Sequence, residues 1–168
     1  MYVCGLNHFI IVMRILLPFL AFHLLIVFSS YGVEVKTNSP DKKNTVIVKL
    51  NPEKDNALFY SIVIQGNIII ADSPLGLAFE NQVPLHTKLQ IVSSPQKEVN
   101  EPWKPVYGEK NQYSNHYNET TLNLKEINTP FRNFSVVVRA YNEGIAFRYQ
   151  VQTEQPVTIT HELTGFQF

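Results

Sequence analysis

The chain has 168 residues, of which 45% are hydrophobic and 17% are charged, and its 14 basic and 14 acidic side chains give a formal net charge of zero. This length provides one domain of ordinary size with a hydrophobic core. A neutral chain has no electrostatic attraction for nucleic acid or for an anionic membrane, so neither is expected as a partner.

The N-terminal segment has the composition of a secretory signal peptide. Arg14 precedes an apolar run over residues 15–28, and the small residues Ser30 and Gly32 suit a cleavage before Val33. We therefore predict that residues 1–32 are a signal peptide, with Met13 as an alternative start, and that the protein is exported to the periplasm. In the less favoured alternative, residues 9–28 stay uncleaved as an anchor, which would be the only contact with a membrane.

The next apolar segments have the length of β-strands. They cover residues 45–50, 58–65 and 68–71, after a polar lead over residues 36–44. Gly66 and Asn67 separate the second from the third, and a glycine in a two-residue turn supplies the positive φ that a tight hairpin needs. The sequence predicts a β-hairpin here, with its turn at Gly66-Asn67.

The second half of the chain continues the β pattern. Residues 87–93 and 120–126 alternate apolar and polar side chains, and residues 157–163 supply a last strand. Residues 134–141 and 145–151 flank the loop 142–144, which predicts a hairpin with Gly144 at positive φ. In its second strand one face carries Ile145, Phe147, Tyr149 and Val151, and the other carries Ala146, Arg148 and Gln150. Short strands with turns between them predict an all-β fold, an antiparallel β-sandwich.

The stretch EPWKPVYGEKNQYSNHYNETTLNL, residues 101–124, concentrates aromatic rings between polar groups. Its rings are Trp103, Tyr107, Tyr113 and Tyr117, and its polar groups include Glu109, His116, Asn118 and Glu119. Flat rings with polar neighbours suit stacking on a sugar. The alternative, which the residues alone favour, is that the rings form a satellite core beneath a long connection.

Little in the sequence points to catalysis. There is no nucleophile motif, and the sole cysteine, Cys4, lies in the predicted signal. His116 and Glu119 are too degenerate a pair to predict a metal site. Glu109 and Glu119 could be paired as the acid and base of a glycosidase, but two solvated carboxylates are the favoured interpretation. No catalytic and no metal-binding residue is predicted.

Two arginines lie inside apolar strands. Such residues either face solvent or pair with a buried carboxylate. We expect Arg139 on the solvent face, and for Arg148 both alternatives stay open.

Five stretches, in order, resemble the N-terminal domain of glycoside hydrolase family 97, a family of exported bacterial α-glucosidases and α-galactosidases. They are SPD at 39–41, YSIVIQGNIIIADSPLGLAF at 60–79, WKPVYGEKNQYSNHYNE at 103–119, RAYNEGIAFRY at 139–149 and HELTGFQF at 161–168. The resemblance implies a super-sandwich like that of galactose-mutarotase-like domains, placed before a catalytic (β/α)₈ barrel and a small C-terminal β-domain.

The same resemblance places the catalytic carboxylates on the barrel, which this sequence lacks, and implies that calcium in the full-length family is held mostly by barrel glutamates. Residues 33–168 are then a partial sandwich, expected to be inactive by itself and to carry no cofactor of its own. Its candidate contacts with a carbohydrate or with the barrel are Trp103, Tyr107, Glu109, His116, Tyr117, Glu119 and Arg148. Alternatives are a free-standing carbohydrate-binding module and a degenerate fragment.

Overall fold

The computed structural model describes residues 32–109 and 111–168. The predicted signal peptide and its rival, the uncleaved anchor, both concern residues that lie outside this part of the chain. Within the described ranges, no helix has the length and apolar character needed to cross a membrane.

The described chain is built from β-strands, with a single 3-10 turn at Pro52–Lys54. The strands are β1 Glu34–Asn38, β2 Asn44–Asn51, β3 Ala57–Ile64, β4 Asn67–Pro74, β5 Leu77–Phe79, β6 Gln82–Leu85, β7 Leu89–Ser93, β8 Gln96–Asn100, β9 His116–Glu126, β10 Asn133–Tyr141, β11 Ile145–Val151 and β12 Ile159–Glu162. The predicted all-β fold is confirmed.

Three antiparallel sheets result. The first sheet has the order β1-β2-β3-β4, and a small sheet has the order β12-β5-β6. The second sheet has the order β11-β10-β9-β7, with β8 also paired to β9. Strands β7 and β8 follow one another along the same side of β9, opposite its residues 123–126 and 116–120. Together they act as one interrupted edge strand.

The core lies between the inner faces of the first and second sheets. Strand β2 alternates strictly, so that Val46 and Val48 are buried while their neighbours are half-exposed. Leu122 and Val136 supply the facing layer from β9 and β10. Burial of each such side chain contributes about 1.5–3 kcal/mol, and this alternation fixes which face of each strand points inward.

Two polar contacts join the sheets at the same end. Thr37 in β1 donates from its hydroxyl to the Thr120 hydroxyl in β9 over 2.6 Å, and both residues are buried. The Asn44 side-chain amide donates to the carbonyls of Tyr141 and Asn142, at 2.9 and 3.0 Å. The first strand pair is thereby bonded to the turn between β10 and β11.

The last residues run along the outer edge of β4. The Gly165 amide donates to the Pro74 carbonyl, and the Ala71 amide donates to the Gln167 carbonyl. A Cβ at Gly165 would lie 2.7 Å from Cδ of Pro74, so only glycine permits this approach.

Some predicted details differ from the structure. The β3–β4 turn is Gln65-Gly66, with φ of 52° and 83°, and Asn67 is the first residue of β4. Two consecutive positive φ values describe a type I′ turn. The expected positive φ at Gly144 is wrong, because its backbone lies outside the left-handed region. Bonds from Asn44 hold that loop instead.

The predicted division of β11 is confirmed. Its residues alternate between half-buried and exposed, and Ile145, Phe147, Tyr149 and Val151 pack against the core. Strands β1, β5, β6 and β8 were not predicted; β1 ends within the expected polar lead, and β8 contains only one apolar residue, Val99.

We predict that Gly66→Val lowers the free energy of unfolding by about 1 kcal/mol or more, because a branched residue is strained at a φ of 83°. Gly144→Val is the matched control, since no atom lies within 4 Å of its added Cβ and its φ is ordinary. Chemical denaturation of both variants measures the difference. A larger loss at Gly144 than at Gly66 would contradict the turn geometry.

Candidate binding site

The aromatic segment extends the β8–β9 ladder away from the sandwich. Beyond the pair Asn100–His116, the Glu101 amide donates to the Asn115 carbonyl, and Trp103 and Tyr113 exchange backbone hydrogen bonds of 3.0 and 2.8 Å. We call residues 101–115 the aromatic arm; Lys110, near its tip, is outside the described residues. The arm is therefore anchored by regular β pairing at its base.

The rings of the arm are exposed. The exposed fractions are 58% for Trp103, 89% for Tyr107 and 95% for Val106. The Trp103 and Tyr113 rings contact each other, with centroids 5.5 Å apart and planes at 37°. The satellite-core interpretation is wrong for Trp103 and Tyr107, because both side chains are exposed to solvent and are not packed beneath the sheet.

Tyr117, at the base of the arm, is packed differently. It lies on the outer face of the second sheet, which is the face turned away from the core, and is only 5% exposed. Its ring contacts that of Tyr141 at 4.8 Å, and the guanidinium of Arg139 lies 4.6 Å from its centroid. Such stacking is worth about 0.5–1.5 kcal/mol beyond simple burial, so Tyr117 secures the base of the arm.

Glu119 is buried on the same outer face, two residues further along β9. Its carboxylate accepts from Nε of Arg139 at 2.6 Å and from Nζ of Lys97 at 3.0 Å. The register places Lys97, Glu119 and Arg139 in one row across β8, β9 and β10. The expectation of a solvated Glu119 is wrong. Arg139 lies on the outer face, as expected, but it also pairs with the buried carboxylate of Glu119, so the two alternatives given for it are both met. Their partners come from distant strands, which the local pattern does not specify.

This environment sets the charge of Glu119. Burial by itself raises the pKa of the carboxyl, but the hydrogen bonds and positive charges of Arg139 and Lys97 outweigh it, so the pKa of Glu119 is lowered. The hydrogen bond to Glu119 in turn raises the pKa of Arg139. Glu119 is therefore an anion at neutral pH with both oxygens engaged, and it has no proton to donate in catalysis.

Glu109 and His116 do not join Glu119. Glu109 is exposed in the arm, as predicted for a solvated carboxylate. His116 lies 2.7 Å from Oε1 of Glu98, and three residues along a strand place it on the face opposite to Glu119. In residues 32–109 and 111–168, no three acidic, histidine or cysteine side chains converge on a metal position.

Arg148 lies on the outer face of β11. It is exposed, opposite Val137 of β10, and makes no salt bridge with a carboxylate of the described chain. Of the two alternatives for this residue, the structure shows the solvent-facing one. The sequence analysis did not identify Lys97 and Tyr141 as members of this site. Lys97 lies in β8, which is too polar to be predicted as a strand from its sequence.

We predict that Glu119→Gln lowers the free energy of unfolding by about 2 kcal/mol near neutral pH, because it removes the charge from two hydrogen bonds. Since the folded pKa is lowered, this contribution is complete above the ordinary value of 4.5 and is lost as the pH falls through the folded pKa. Denaturant titrations at several pH values measure it.

The matched control for Glu119 is Glu98→Gln, whose carboxylate is 63% exposed and should contribute less than about 1 kcal/mol. Two results would contradict the described ion pair. One is an equal decrease in the free energy of unfolding in both variants. The other is a difference in that free energy between the wild type and Glu119→Gln that stays the same at acidic pH.

A second pair of variants compares the contribution to stability of the exposed arm with that of its buried base. Tyr117→Ala should cost about 3 kcal/mol, because it empties a buried site. Trp103→Ala should change the free energy of unfolding by no more than about 0.5 kcal/mol, because its ring lies outside the core. Thermal melting of the two variants compares them, and a loss at Trp103 as large as that at Tyr117 would place the arm under the sheet after all.

Comparison with known proteins places this geometry in a family. The sequence profile of the family described as glycosyl-hydrolase 97 N-terminal matches residues 37–168. A retaining alpha-galactosidase of Bacteroides thetaiotaomicron is 28% identical over 111 residues, which are 66% of this chain and 16% of that protein.

Solved structures agree. A glycoside hydrolase family 97 enzyme from Pseudoalteromonas sp. strain K8, in complex with panose, superposes with a TM-score of 0.71 at 27% identity, over 79% of this chain and 20% of that one. A beta-arabinopyranosidase shares the fold with a TM-score of 0.70 at 23% identity, over 80% of this chain and 21% of that one. The chain thus spans about a fifth or less of the length of these relatives, and it belongs to the N-terminal domain family of glycoside hydrolase family 97.

Proposed function

We propose that this domain works as the non-catalytic N-terminal part of an exported α-glycosidase, and that its aromatic arm contacts the catalytic barrel of the same polypeptide. The observation that carries the proposal is the arm itself: exposed rings at the end of a regular β ladder. The paired residues Trp103 and Tyr113 are already ordered by the ladder, so they lose little conformational entropy when they dock.

The composition of the arm favours a protein contact. Tryptophan and tyrosine are the residues that most often dominate protein interfaces, because they bury much area with few rotatable bonds. Val106, at 95% exposure, and the neighbouring Pro105 add apolar surface with no hydroxyl-binding groups. A sugar site would need more polar groups that converge on the rings.

The described residues contain no pair of catalytic carboxylates, which favours a non-catalytic role for this domain. Glycosidase chemistry needs two carboxylates that face each other across the scissile bond, one of them protonated. Glu119 is an engaged anion, and Glu109 is exposed in the arm and does not face it. The substrate class, α-galactosides or α-glucosides, follows the alpha-galactosidase relative and the panose complex. The barrel would bind it.

A free-standing carbohydrate-binding module is the second candidate. The stacked pair Trp103–Tyr113 favours it, since two exposed rings at 5.5 Å offer a platform for a sugar. Calorimetric titration of the purified protein with maltose, maltooligosaccharides and galactosides separates the candidates. Saturable binding that Trp103→Ala abolishes would favour the module. The docking proposal expects no binding by the chain alone.

We predict that the chain alone hydrolyses neither p-nitrophenyl α-glucoside nor p-nitrophenyl α-galactoside above background, with or without calcium. The reason is the lack of a described carboxylate pair with opposite protonation states. Glu109→Gln and Glu119→Gln serve as controls for trace activity. Turnover that either variant abolishes would overturn the non-catalytic role.

The coding DNA provides the decisive observation for the two-part enzyme. If the same reading frame, followed in the 3′ direction, encodes a (β/α)₈ barrel with paired carboxylates, the proposal holds. An unrelated continuation would refute the link to a barrel. A degenerate product, the third alternative, would lack a cooperative melting transition.

A further inference from the structure

The outer face of the second sheet carries an excess of positive charge. Its strand positions include the cations Lys97, Lys125, Arg139 and Arg148, whereas Glu119 is the sole carboxylate at the outward positions of the described strands. Glu119 binds two of these cations and cancels only one of their charges. The net charge of this face is therefore positive, whereas the whole sequence is neutral.

Two of the cations border a shallow depression of about 120 Å³ between β10 and β11. Val137 and Ala146 line it with apolar surface, and Arg139, Arg148 and Tyr141 line it with polar groups. Val137 is 3% exposed although it points away from the core, because its neighbours enclose it. The depression has room for several water molecules and is open to solvent, so it can take a planar carboxylate while the rest of the ligand stays outside.

We propose that this depression binds a carboxylate, held by Arg148 with the support of Arg139. A guanidinium fork matches the two oxygens of a carboxylate, and an apolar floor strengthens the attraction by lowering the local dielectric. Arg139 is positioned in advance by Glu119 and by the Tyr117 ring. Arg148 has no carboxylate partner in the described chain, so its charge is available.

The proposal goes beyond the role of the arm and does not depend on it. The carboxylate can come from an acidic sugar, such as a uronic acid, or from an acidic side chain of a polypeptide. Both present the same planar group on a short stem, and the two acidic probes of the titration distinguish them.

The test is a titration of the ¹⁵N-labelled chain followed by NMR, with D-glucuronate and N-acetylglutamate amide as probes. Their neutral counterparts, D-glucose and N-acetylglutamine amide, are the ligand controls. We expect saturable shifts at the amides of Ala146 and Arg148 with both acidic probes only, and weaker binding at higher salt. Tighter binding of glucuronate would identify an acidic sugar as the source, and tighter binding of the glutamate probe an acidic side chain.

Two variants complete the experiment. Arg148→Gln should weaken the binding about tenfold or more, as expected when a charged hydrogen-bonding group is lost. Lys125→Gln removes a cation from the same face, outside the depression, and should change binding less than about twofold. Both positions are partly or fully exposed, so both variants should fold. Shifts equal with the neutral probes, unchanged in Arg148→Gln, or absent altogether would overturn the proposal.

Discussion

The ion pair between Glu119 and Arg139 is the interaction on which the outer side of this domain depends. The Glu119 carboxylate is buried on the outer face of the second sheet, and it engages β8 and β10 at once through Lys97 and Arg139. Removing one partner of such a pair leaves a poorly solvated charge, which costs far more than an exposed pair gains. Because Tyr117 stacks on Arg139, the base of the aromatic arm rests on this pair. The β8–β9 ladder continues into the arm, and the ion pair packs against the residue at which the arm leaves the sheet.

The two faces of the second sheet differ because only the inner face packs against the first sheet. Its inner face supplies Leu122 and Val136 to an apolar core, and one buried contact, Thr37 to Thr120, bonds it to the first sheet. Strict alternation leaves every second residue of β9 and β10 free for the outer face. The apolar core and the outer surface thus use different residues of the same strands, so substitutions at outward positions leave the packing between the sheets intact.

The sequence predicted those strands whose residue pattern is visible within the strand itself. Alternating residues predicted β7, β9 and the two faces of β11, because a strand repeats every two residues, and apolar runs of strand length predicted β2 and β3. Strand β8 has too few apolar residues to be seen. Lys97 was missed because it lies in β8. The burial of Glu119 was also missed, because it depends on partners that are distant in sequence. Gly144 fits a turn motif locally, yet tertiary hydrogen bonds from Asn44 set its loop. Aromatic composition, finally, is the same for a packed and an exposed arm.

The central claim is that the arm is a docking element for a catalytic barrel. The most direct measurement is hydroxyl-radical footprinting of Trp103 and Tyr107, read by mass spectrometry, in the chain alone and in the longer polypeptide that includes the barrel. Both rings are exposed in the chain described, so both should be oxidised readily there. The account predicts strong protection of both rings once the barrel is present, with no change at the exposed control Phe131. Equal oxidation of Trp103 and Tyr107 in the two proteins would contradict it.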